Sequence, residues 1–174
     1  MNKNNKNQRG FGLVEMIIAI GIVGIGIVGT FSMISRFSEQ SKIVRDSFVA
    51  SYLAQEGIEI VKNIRDTNIL NSSSRDWDDG IDCSSGCEAD FEDASLSPWV
   101  GDGKFLYLEN TTGMYKYIDS PSTSDIKTYY KRMITTVRSG DEIDIMITIY
   151  WEDKSIKSIM IRSKIYNWGL WNQT

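Results

Sequence analysis

The chain contains no histidine. That removes the commonest general base, the commonest transition-metal ligand and every Ser/His or Cys/His nucleophile arrangement. The sequence therefore argues against an enzyme, and no cofactor is expected. Cysteine is nearly absent as well. Cys83 and Cys87, in Cys-Ser-Ser-Gly-Cys, are the two in the chain, too few for a four-ligand zinc site. An oxidised pair closing a tiny loop fits an extracytoplasmic compartment, so a Cys83–Cys87 disulfide is expected. Neither of the two prolines falls within residues 11–70, so nothing there interrupts a helix. Positive charge is also in deficit. With 19 Lys and Arg against 23 Asp and Glu, the net charge is −4 and the pI about 4.9. A basic stripe of the kind that grips nucleic acid is missing, and no nucleic-acid partner is expected.

What is present is a globular composition, 41% hydrophobic and 24% charged over 174 residues, enough for one domain with a real core. Residues 11–34 are almost wholly apolar. As a helix they are long enough to span a bilayer of roughly 30 Å. A short polar leader with Lys3, Lys6 and Arg9 precedes them, like the n-region of a secretory signal. The apolar run is longer than a usual h-region, however, and no Ala-x-Ala-like site follows it. An ordinary cleaved signal peptide is disfavoured. Basic residues on the far side, Arg36, Lys42 and Arg45, match the leader in number, so the positive-inside count does not fix orientation.

The one charge inside the apolar run is Glu15. A carboxylate in an apolar helix costs about 2.5–3.5 kcal/mol on insertion scales and normally requires a partner. A cationic amino terminus would serve. Gly24-Ile25-Gly26-Ile27-Val28-Gly29 spells the dinucleotide fingerprint, but it lies inside a membrane-length run with no separate strand before it. Close helix packing or a locally weak helix is the better reading of Gly21, Gly24, Gly26 and Gly29.

The segment Arg9-Gly10-Phe11-Gly12-Leu13-Val14-Glu15-Met16-Ile17 resembles a type IV prepilin cleavage and methylation site. The resemblance implies that residues 1–10 are a leader peptide cut after Gly10 by prepilin peptidase. Phe11 would become the methylated amino terminus, and Glu15 would match the assembly glutamate at the fifth mature position. It implies an α+β type IV pilin fold, a long N-terminal helix packed on a C-terminal antiparallel sheet. Residues 11–34 would be the transmembrane and filament-core half of that helix, and residues 35–174 the head. The implied role is a structural subunit, minor pilin or pseudopilin, of a type IV pilus or related type II secretion-like filament. Its partners would be other pilin subunits, prepilin peptidase and assembly machinery in the inner membrane. It would be a single-pass membrane protein first, and then part of an extracellular pilus or periplasm-spanning filament. The alternatives are a major pilin, or a membrane-anchored extracellular binding module that never polymerises. The stretch Ala54-Gln55-Glu56-Gly57-Ile58-Glu59, with Trp151 and Asn167-Trp168, is similar to features of minor pilins and pseudopilins.

Beyond the apolar run, Ile34, Phe37, Val44, Phe48, Val49, Leu53, Ile60 and Ile64 recur at helical spacing, which predicts an amphipathic continuation of one helix of roughly 80 Å. Residues 71–103 open with Asn71-Ser72-Ser73-Ser74 and hold nine acids from Asp76 to Asp102 with no Lys or Arg between, the pattern of a solvated surface loop. Asp76, Asp78, Asp79 and Asp82 hint at a calcium loop, but the glycine register is wrong for an EF-hand. Solvated acids are the preferred reading, and no metal site is assigned. Residues 104–166 read as an antiparallel sheet, with strands at 104–108, 114–118, 128–137, 143–151 and 155–166. Alternation is clearest in Ile143, Ile145, Ile147, Ile149 and Trp151, which should face the helix.

Overall fold

A computed structural model describes residues 12–71 and 75–168. Its one helix, α1 (Leu13–Leu70), has 58 residues and contributes to two compact units that divide between Arg45 and Asp46. In the first, every described residue is exposed. Isoleucine, valine and glycine are mediocre helix formers in water. In a bilayer, by contrast, the helix is the spanning form that satisfies its backbone within a single segment.

The second unit begins at Asp46. Its stretch of α1 buries Ala50, Leu53, Ala54, Gly57, Ile58, Ile60, Val61, Ile64 and Asn68, the three-and-four spacing of one helix face. Of the apolar positions expected on that face, Ile34, Phe37, Val44 and Phe48 are 59–71% exposed. Helical spacing extends past the point at which there is a sheet to cover it. At Gly57 the helix approaches the sheet closely: a Cβ there would lie 3.0 Å from Arg132 Cδ and 3.1 Å from Ile147 Cγ2.

The partner of this face is a five-stranded antiparallel sheet in the order β2-β1-β6-β7-β8. It comprises β1 (Cys87–Glu88), β2 (Ser97–Pro98), β6 (Tyr130–Ser139), β7 (Glu142–Asp153) and β8 (Ser155–Tyr166). Alternate residues of β7, from Ile143 to Trp151, point into the core as expected. Each fully buried isoleucine contributes about 1.5–3 kcal/mol. Consecutive hairpins join β6 to β7 and β7 to β8, with Ser139 opposite Glu142 and Asp153 opposite Ser155. The fold is α+β, one long N-terminal helix with antiparallel sheets, consistent with the type IV pilin fold.

Two expectations need correction. The strands expected at 104–108 and 114–118 shrink to β3 (Tyr107–Leu108) and β4 (Tyr115–Lys116), which join β5 (Ile126–Lys127) in a separate small sheet ordered β4-β3-β5. The acidic region, expected to be a solvated loop, is instead fastened to the main sheet: Ile81, Cys83, Cys87 and Ala89 are core residues, and β1 pairs with β6. Thr136 links the two, donating its hydroxyl to Ile81 O at 2.6 Å and accepting from Cys83 N at 2.8 Å. Two of the acids, Glu88 and Asp90, are buried because they cap backbone amides. Glu88 accepts from Lys104 N at 2.6 Å, and Asp90 from Glu92 N and Tyr117 N, each at 2.9 Å. A buried carboxylate is tolerable when hydrogen-bonded in this way.

Candidate processing and assembly segment

Gly10 and Phe11, the expected cleavage junction, lie outside the described residues. Immediately after them the helix opens at Gly12, whose carbonyl accepts from Glu15 N at 3.0 Å and Met16 N at 3.2 Å. Glu15 therefore sits in the first turn, where the helix dipole favours a carboxylate. It is exposed. No other charge occurs between Gly12 and Ser35, so twenty uncharged residues, 16–35, follow it over about 30 Å of helix. The helix qualifies by length and composition as a membrane span, with mean hydropathy 2.4 over its most apolar window and none of that window buried.

So much exposed apolar surface needs lipid or another protein against it. The glycines fit that demand. A Cβ at Gly21, Gly24, Gly26 or Gly29 would meet nothing within 4 Å, so packing among the described residues does not require them. They leave room for a close neighbour, and each weakens the helix by about 1 kcal/mol relative to alanine. Thr30 donates its hydroxyl to Gly26 O at 2.8 Å, a back-bond that often bends helices.

The second unit carries the remaining candidates. Cys83 and Cys87 form a disulfide with Cα atoms 6.1 Å apart. The four aspartates of the calcium hint do not converge on one point. The Asp78 carboxylate pairs with Arg138, and the backbone carbonyl of Asp79 accepts from Asn68 Nδ2 at 2.7 Å. Asp76, Asp79 and Asp82 are exposed. Among the described residues no group of three or more His, Cys, Asp or Glu is placed to hold a metal ion.

A residue that the sequence reading passed over is Arg132, which is fully buried. Its guanidinium donates to Leu53 O at 3.2 Å and Ala89 O at 2.8 Å, and lies 3.5 Å from the Glu56 carboxylate. It ties α1, the acidic segment and β6 together. Burial pushes the Glu56 carboxyl above its ordinary value, and the attraction of Arg132 only partly opposes this. Burial likewise raises the Tyr117 phenol, which donates to Arg132 O at 3.1 Å. The Ala54–Glu59 stretch thus has a packing role, with Glu56 on Arg132 and Gly57 against Ile147. The available signal was the alternation Tyr130, Arg132, Ile134, Thr136, which puts the arginine on the apolar side of β6.

No curated protein and no solved structure matches the chain. A family model described as the prokaryotic N-terminal methylation motif matches residues 5–31, the span that runs from the polar residues before Gly10 through Glu15 into the exposed apolar helix. That motif, with the long apolar helix and antiparallel sheets behind it, supports a type IV pilin-like protein.

Proposed function

We propose that this protein is a minor pilin or pseudopilin: a structural subunit held in the membrane as a precursor, cut after Gly10, methylated at Phe11 and built into an extracellular filament. The observation that carries the reading is the methylation motif at residues 5–31 leading into an apolar helix exposed on every side. Prepilin peptidase is the enzyme that acts on such a motif. Other pilin subunits are the surfaces that such a helix requires once it leaves lipid.

Glu15 supplies the assembly chemistry. Cleavage creates a cationic amine at residue 11, four positions before Glu15 and so about one helical turn away. In apolar surroundings that amine and the carboxylate attract far more strongly than in water. The pairing, within a subunit or between neighbours, sets the axial register as one subunit docks beside the next.

Amino-terminal mass spectrometry of the processed protein tests cleavage and methylation together. The expected terminus is N-methylated Phe11, and an intact Met1 terminus in surface material would reject the proposal. Gly10→Ala should reduce processing. Glu15→Ala should leave processing and head folding intact while sharply lowering incorporation into filaments. Wild-type incorporation of Glu15→Ala would end the charge-pairing account.

A further inference from the structure

The outer face of the five-stranded sheet, opposite the side packed on α1, carries a cleft of about 430 Å³. That lies within the roughly 300–1,000 Å³ range of small-molecule sites. Its lining includes Met133 of β6 and Tyr150 of β7, with Trp99 and Phe105 from the segment between β2 and β3. Ile156, 78% exposed, lies at its border. Asp102, Lys131 and Glu152 supply charged groups.

Trp99 is held rather than merely present. Its backbone N–H donates to Gly86 O at 3.0 Å, within the loop that the disulfide closes. Its indole N–H donates to Gly101 O at 3.1 Å. Gly103, at φ 76°, packs so tightly on the ring that a Cβ there would come within 2.2 Å of it. The indole stands tilted at 55° to Tyr150, ring centroids 6.2 Å apart. A half-buried tryptophan fixed from three directions at a surface cleft is pre-organised for contact, which lowers the entropy lost on binding.

The chemistry around it selects a ligand class. A cation finds Phe105 already covered by Lys127 and Lys131, 4.4 and 4.5 Å from its centroid. An anion meets Asp102 and Glu152. A purely apolar ligand would strip water from all three charged groups without replacing it. A polyhydroxylated ring suits the whole set, because its C–H face stacks on Trp99 and Tyr150 while its hydroxyls donate to the carboxylates and accept from Lys131. We propose that this cleft binds a short neutral carbohydrate.

The test uses the full-length protein in a detergent that lacks a sugar headgroup, titrated with cellobiose, chitobiose, lactose and maltose. Saturation-transfer NMR and tryptophan fluorescence report binding. At least one disaccharide should saturate in the millimolar range. Trp99→Ala and Tyr150→Ala should each weaken it about tenfold or more, the loss expected of a binding hot spot. Glu152→Gln, a near-isosteric change at an exposed position, should also weaken it. Val137→Ala, exposed elsewhere on the sheet, should bind like wild type. Absence of saturable binding by all four sugars would overturn the proposal. So would binding that Glu152→Gln and a folded Trp99→Ala both leave unchanged.

Discussion

Ile22 and Ile147 are the same residue in opposite circumstances. Ile22 lies on the exposed stretch of α1 and is 67% accessible; Ile147 lies on β7, inaccessible beneath α1 and against Gly57. Within residues 46–168 the apolar side chains of one helix face and one sheet face cover one another, and the unit has its own core. Within residues 12–45 they have no partners among the described residues, so their apolar character reflects a requirement met by lipid or other subunits. Composition alone does not separate these cases. The presence or absence of a matching second face does.

Truncating the two isoleucines exposes the contrast most strongly. Ile147→Ala should destabilise the head by about 2–5 kcal/mol, the transfer loss plus the cavity left in a packed site. Ile22→Ala should leave the head's thermal midpoint unchanged, because Ile22 is exposed and lies outside the unit that holds the core. Calorimetry of both variants settles the matter. An equal loss in the two would mean that the exposed helix contributes to head stability.

Next in size is the disulfide. Cys83 and Cys87 close a loop with a sequence separation of four, for which the chain-entropy relation gives about 2 kcal/mol. Cys83→Ser with Cys87→Ser should lower head stability by about that amount and leave membrane insertion untouched. Free thiols in protein recovered from the cell surface would contradict an oxidised pair.

A smaller effect is expected at the β7–β8 turn, where Lys154 adopts φ 57°, a left-handed conformation that costs a side-chain-bearing residue about 1–2 kcal/mol. Comparing Lys154→Gly with Lys154→Ala removes the side chain in both and isolates the backbone. The glycine variant should be the more stable by about 1 kcal/mol by urea denaturation. A more stable alanine variant would refute the left-handed turn.

Much of this architecture was legible from local pattern. The apolar run and Glu15 announce themselves because a lone charge in such a run is expensive. The alternation from Ile143 to Trp151 gives strand and buried face together. Arg132 was hidden because two of its partners, Leu53 O and Ala89 O, lie 79 and 43 residues away in sequence, and a strand arginine in isolation looks solvated. The acidic segment misled for a related reason. Its charges suggest solvent, whereas Glu88 and Asp90 are fixed by the amides they cap, which only the folded chain supplies. At Phe37, Val44 and Phe48 helical spacing was read correctly but the partner was not, since periodicity defines a face without naming what covers it.

The two glutamates on α1 offer the finest test of the same comparison. Under the proposed processing Glu15 would gain an amine at residue 11, whereas Glu56 already has Arg132 at 3.5 Å. Even so, burial outweighs that attraction and holds the Glu56 carboxyl above its ordinary value of 4.5. The folded state then binds the Glu56 proton more tightly than the unfolded chain does. Its contribution to stability is therefore full below about pH 4.5 and is lost as pH rises through the higher folded value. Glu56→Gln removes that titration while leaving every other group common to both proteins. The stability of wild type minus that of Glu56→Gln should accordingly decline as pH rises above about 4.5. Urea midpoints for both proteins across a pH series would measure it. A difference that grew with pH would show that Arg132 prevails over burial and holds the carboxylate ionised.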